Sequence, residues 1–178
     1  MLGKAWSVSH SSAYRYIKKH YCDSGIFISF FNEEPQYYEQ CKNILLAAEQ
    51  GYIELYTSAF TMAEVVYIKS LKAKRDLSDL EQENIINNLF SNEWIKLVGF
   101  ERETSEINRY LIRSYQLQPF DALHLATAIR MKLDYFDTVD QKLIDKVPQE
   151  VNFSPNYPKK VIIQKPFIEG FQPPLPFL

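Results

Sequence analysis

The sequence predicts an α/β protein of three layers, α/β/α, around a central, mainly parallel sheet. Strand-like and helix-period segments alternate along the chain, as parallel strands joined by helical crossovers require. The 178 residues, 46% hydrophobic and 15% aromatic, suffice for one substantial core and leave no room for two full domains. Beyond Val147 the pattern stops, because seven of the nine prolines lie there and helix is excluded over most of it.

Taken in order, residues 17–22 (IKKHYC) read as the first strand, and CDSGIFISFF (22–31) as its end running into a turn at Ser24 and Gly25. A helix over 35–50 carries Tyr38, Cys41, Leu45 and Ala48 on one face and ends at Gly51, a favourable residue just past a helix. Strand 52–56 leads to a helix over 59–72, and Ser78-Asp79-Leu80-Glu81 is a capping-box start for the next, which turns Ile85, Ile86 and Leu89 inward. Strand 94–100, helices 102–115 and 121–132, a strand within 133–140 and a helix QKLIDKV complete the alternation. In the tail, 159–167 reads as an edge strand and 170–178 as polyproline-type chain, either strapped onto its own domain or docking a partner or second copy.

Four acidic residues stand out by context. On the expected helix 59–72, Glu64 shares a side with Phe60, Tyr67, Ile68 and Leu71, so its carboxylate is protonated, paired with a base such as Lys72, bound to metal, or turned out at the helix edge. Asp121 follows Pro119 in a first helical turn, where a carboxylate caps N–H groups and meets the positive end of the dipole. It also lies beside Leu125 and Ala128, so capping and ligation are compatible. Asp140 follows a strand end, where open parallel sheets line their ligand crevice, although a helix cap is an equal reading and Asp137 and Thr138 compete for the place. Asp23, alone, is a turn residue.

Together these segments resemble the PIN-domain nucleases. The resemblance runs through Asp23-Ser-x-Ile-Phe, then Thr57-Ser58-x-x-x-x-Ala63-Glu64-Val65, then Asp121-Ala-Leu-His-Leu-Ala-Thr-Ala, and closes on Thr138-x-Asp140, over about residues 20–148. It is similar above all to the small toxins of type II toxin-antitoxin pairs. The resemblance implies that Asp23, Glu64, Asp121 and Asp140 ligate Mg²⁺ or Mn²⁺, that Thr138 assists near the last, and that Ser58 supports from behind. It further implies hydrolysis of phosphodiester bonds in single-stranded or structured RNA, an antitoxin protein as partner, and dimers. On this reading residues 1–17 are an N-terminal extension, 18–148 the PIN-like domain, and 149–178 a Pro-rich C-terminal extension. The chain departs from the family at Lys18, Lys19 and His20, where an apolar strand is usual, and at Gly25.

Net charge of −2 and a pI near 5.9 do not mark a nucleic-acid binder, so any phosphate-binding charge is local. Lys69, Lys72, Lys74 and Arg75 form one such cluster, as a solvated helix end or as contacts to phosphate. Tyr110, Arg113 and Tyr115 are candidates for a substrate groove, although their spacing does not single them out. His124 is expected to be a hydrogen-bonded structural residue rather than a ligand. Cys22 and Cys41, with no export or membrane-spanning segment, point to free thiols in a reducing, cytoplasmic setting and to no membrane partner. No Ser-His-Asp set, zinc-type Cys/His spacing or glycine-rich phosphate loop occurs. The alternative to a metal-dependent ribonuclease is a catalytically weak PIN-like module that binds RNA or protein. An aspartate-nucleophile phosphotransferase is a distant third, since DTVD (137–140) has the wrong spacing.

Overall fold

A computed structural model describes residues 16–69, 76–151 and 157–173. Its centre is the short strand β1 (Lys19–Cys22), which pairs in parallel with β2 (Glu54–Ser58) on one side and β4 (Tyr135–Asp137) on the other. Outside β2 lies β3 (Ile95–Val98), also parallel, and outside β4 lies β6 (Val161–Gln164), parallel again. A two-residue strand, β5 (Glu150–Val151), runs antiparallel on the outer side of β6 and completes the order β3-β2-β1-β4-β6-β5. Residues 159–167 therefore supply an interior strand rather than an edge, because β5 takes the outer hydrogen-bonding side of β6.

Alternation along β1 divides the apolar side chains between two cores. Tyr21 faces α5 (Arg102–Tyr115) and α6 (Pro119–Arg130), packing with Ile107, Leu111, Leu125, Ile129 and Phe136. Cys22 faces α1 (Ser24–Phe31), α2 (Tyr38–Glu49) and α4 (Asp79–Phe90), packing with Phe27, Ile44, Leu55 and Phe90. The sheet is thus covered on both faces, the three-layer α/β/α arrangement expected. Both cysteines are free and buried. The tail folds back onto the second core through Ile168 and Phe171, whose ring lies 5.4 Å from that of Tyr52; residues 174–178 lie outside the described residues.

Three local expectations change. Residues 24–31 are helix, not a turn, because Asp23 caps them: its Oδ1 accepts from the Ile26 amide at 3.2 Å. The helix expected over 59–72 is only α3 (Ala59–Glu64). At Val65 the backbone leaves the helical region, and the next amides are captured by side chains, Ile68 N–H donating to Gln82 and Lys69 N–H to Asn32. Successive β-branched Val65 and Val66 make the helix a poor competitor with those bonds. Tyr67 is consequently exposed, whereas Ile68 is buried; Leu71, Lys72, Lys74 and Arg75 lie outside the described residues. Third, α6 starts at Pro119, one turn-position being pre-set by the proline ring, so Asp121 is its third residue and not its cap.

Among the described residues no helix is long and apolar enough to cross a membrane.

Candidate acidic site at the carboxyl end of the sheet

Each strand of the central trio ends at, or within three residues of, a polar residue that caps a helix. Asp23 follows β1 and caps α1, Ser58 ends β2 and caps α3 through its Oγ, and Asp140 follows β4 and caps α7 (Gln141–Lys146). Parallel strands share one direction, so all three caps fall at the same end of the sheet. This is where α/β folds place ligands. Glu64 arrives from the last residue of α3, and Asp121 from the first turn of α6.

Asp23 is only 7% exposed. Burial pushes its carboxyl up to about 6, against the opposing pull of Thr138, His124 and the Ile26 amide, and the neighbouring Asp121 adds to the rise. Thr138, fully buried, also receives the Asp140 amide on its Oγ1 at 3.0 Å, so it ties the β1 and β4 ends together. Gly25 is needed for the same closeness: a Cβ there would sit 2.9 Å from Val139 Cγ2 and 3.3 Å from Asp23 Oδ1.

Asp121 is half-buried, and among the described residues its carboxylate takes no hydrogen bond. Burial raises its pKa, and the charges of Asp140 and Glu64 raise it further, while His124 and Lys146 act the other way. Asp140 spends Oδ1 on the amides of Lys142 (2.7 Å) and Leu143 (3.3 Å), leaving Oδ2 without a partner among the described residues. The capping reading and the ligand reading of Asp140 are therefore compatible.

Glu64 pairs with His124, whose Nε2 lies 2.6 Å from Oε2. Burial acts to raise the Glu64 pKa, but the His124 bond and charge, with help from Ser24, leave it lowered. The glutamate is thus a carboxylate and Nε2–H donates to it. His124 is itself buried, and its Nδ1 shares a 2.7 Å hydrogen bond with Tyr21 Oη, which accepts the Ser58 amide at 3.1 Å. A chain Ser58–Tyr21–His124–Glu64 therefore fixes one oxygen of Glu64. His124 is the hydrogen-bonded structural residue expected, but its partner is a site carboxylate. Its spacing of three from Asp121 was the available signal, since such residues share a helix face. Tyr21 carried none, because an aromatic in a central strand reads as core. Beside His124, the rings of Phe60 and Phe120 meet at 4.9 Å, with Phe120 57% exposed.

The structure thus brings Asp23, Glu64, Asp121, Asp140 and Thr138 to one end of the sheet. Among the described residues, however, no group of three His, Cys, Asp or Glu is close enough together to hold a metal ion as it stands. The donor chemistry nonetheless fits a hard divalent cation, for the converging groups are carboxylate oxygens that raise one another's pKa. Of the groove candidates, Tyr110 and Tyr115 meet each other edge to face on α5, at 6.5 Å.

The profile of the PIN domain family matches residues 20–149. Similar folds occur in a VapBC2 complex from Rickettsia felis bound to promoter DNA (TM-score 0.55, 16% identity, 83% of this chain and 98% of that one). They occur also in a toxin-antitoxin complex from Klebsiella pneumoniae (0.53, 23%, 72% and 92%). A third is VapC20 of Mycobacterium tuberculosis, a sarcin-ricin loop cleaving toxin (0.53, 10%, 71% and 93%). No curated protein matches the sequence. With the profile spanning most of the chain and the fold shared over nearly the whole length of these structures, the chain belongs to the PIN domain family of nucleases.

Proposed function

We propose that this chain is an endoribonuclease dependent on Mg²⁺ or Mn²⁺, and the toxin of a toxin-antitoxin pair. The observation that carries the reading is Asp121: a half-buried carboxylate with no hydrogen bond among the described residues, facing the charges of Asp140 and Glu64. Folding such a group beside others costs stability unless a cation compensates it.

Asp23, Glu64 and Asp121 would hold the ion, with Asp140 Oδ2 completing the set. When bound, such an ion supplies positive charge to a phosphate and acidity to a water. The chain's own part is positional. His124 and Tyr21 hold one Glu64 oxygen, Thr138 holds Asp23 beside the Asp140 turn, and Phe120, resting on Phe60, offers a face on which an unpaired base stacks. The toxin reading takes support from the similar structures, among them a toxin-antitoxin complex and a sarcin-ricin loop cleaving toxin. An antitoxin that covers the acidic end, a homodimer and a cytoplasmic setting, in keeping with two free thiols, belong to the same proposal. The competing reading, a catalytically weak module that binds RNA or protein, is favoured by the absence of a ready three-residue metal group among the described residues.

The test is Mn²⁺ calorimetry with wild type, Asp23→Asn and Asp121→Asn, alongside cleavage of single-stranded RNA. Metal binding by wild type is expected to be lost in Asp23→Asn. Cleavage is expected to fall in Asp121→Asn by more than about 100-fold, beyond the range seen when a group merely supports a ligand. Asp121→Asn should fold as well as wild type or better. Wild type that neither binds Mn²⁺ nor cuts RNA would favour the binding module, and Asp121→Asn that still cuts would remove Asp121 from the mechanism.

A further inference from the structure

Away from the acidic end, the segment after β6 folds back over the sheet and roofs a cavity of about 320 Å³. That volume is within the ~300–1,000 Å³ of small-molecule sites. Its inner side is the ring of His20, stacked on Tyr135 at 4.5 Å and 18°, while Tyr52 and Phe167 add aromatic surface. No member of the acidic cluster lines it.

His20 gives the cavity a fixed polar atom. The residue is 3% exposed, and its Nδ1 lies 2.7 Å from Oδ2 of Asp137, which is wholly buried. Gln164 Nε2 donates to the other Asp137 oxygen at 2.9 Å and to the Phe167 carbonyl at 3.1 Å, so the pair is anchored to the segment that forms the roof. With Nδ1–H given to the Asp137 carboxylate, the neutral imidazole presents Nε2 as an acceptor. Among the described residues Nε2 has no partner, although the ring lines the cavity. An acceptor on a nine-tenths buried ring, open to the cavity and set between aromatic walls, suits a planar group with an N–H to donate. Lys18 and Glu169, of opposite charge, both line the cavity, which favours a neutral ligand over a phosphate.

We infer that this cavity is a second binding site of the chain, taking a neutral heteroaromatic ligand of nucleobase or nucleoside size whose ring N–H donates to His20 Nε2. It goes beyond the nuclease reading and does not depend on it.

The experiment is calorimetric titration of the full chain with adenosine, guanosine, cytidine and uridine in turn. At least one is expected to bind. Phe167→Ala alters only an exposed wall, and His20→Phe with Asp137→Leu removes the acceptor together with its carboxylate, so that no buried charge is stranded. Each is expected to weaken binding about tenfold or more, the scale of a lost buried hydrogen bond or aromatic contact. Asp121→Asn should bind as wild type does. Absence of binding by all four nucleosides at millimolar concentration would overturn the inference. So would binding that survives Phe167→Ala undiminished, or binding that disappears in Asp121→Asn and therefore belongs to the acidic cluster. If the double variant does not fold, Phe167→Ala alone decides.

Discussion

Asp137 and Asp23 are neighbours at the ends of adjacent strands, joined by the Asp23 amide donating to the Asp137 carbonyl at 3.3 Å, yet their carboxylates live differently. Asp137 is the more deeply buried, and both of its oxygens are taken, one by His20 and one by Gln164. Asp23 faces Asp121 across the open end of the sheet and is pushed up to about 6. Burial alone does not set the two carboxylates apart; their surroundings do, since Asp137 has a side-chain donor for each oxygen, whereas Asp23, which accepts from the Ile26 amide and Thr138, also meets a further carboxylate in Asp121.

The contrast yields its largest effect at Asp137. Asp137→Leu is expected to cost about 3–5 kcal/mol in urea unfolding, because it leaves two donors, His20 Nδ1–H and the Gln164 amide, without their charged acceptor. Adding His20→Phe should recover most of the loss. Equal stability of wild type and Asp137→Leu would show that the pair ties nothing together.

Next in size is the response of Asp23 to pH. Its folded pKa of about 6 lies above the ~3.9 of an unfolded aspartate, so between those values the folded chain binds more protons than the unfolded one. Stability should therefore be greatest below about pH 4 in this respect and fall by about 2–3 kcal/mol as pH rises through 6. Asp23→Asn should flatten that fall, and Mn²⁺ should offset it above pH 6, where the ligands are charged. A loss of stability in the same window that is untouched by Asp23→Asn would assign it to another group.

The smallest expected effect tests how Glu64 is held. Tyr21→Phe removes the hydroxyl that receives the Ser58 amide and meets His124 Nδ1, without touching any carboxylate. Mn²⁺ binding should weaken about tenfold, the range for an outer partner of a metal ligand. Unchanged affinity would mean that Glu64 keeps its place without the Tyr21–His124 link.

Much of this architecture was legible in the chain because it rests on local periodicity. The alternation of strands and helices, the capping box at Ser78 and Glu81, and the four spaced acidic residues needed no knowledge of contacts. Asp140 as a cap and Asp121 beside a packed helix were readable for the same reason. Two of the failures occurred where a distant partner decided a local choice. Gln82 and Asn32 capture the amides that a longer α3 would have used, and β5 turns an apparent edge strand into an interior one.

The sequence by itself determined the fold class and the family, and it singled out four acidic residues as candidates, since these follow from residue type and order. Only the tertiary structure decided that Glu64 is bound to His124, that His124 leans on Tyr21, and that His20 and Asp137 form a buried pair beneath the tail. Each of these contacts joins residues far apart in the chain, and a hydrogen bond between such residues depends on the register and packing of the strands that carry them.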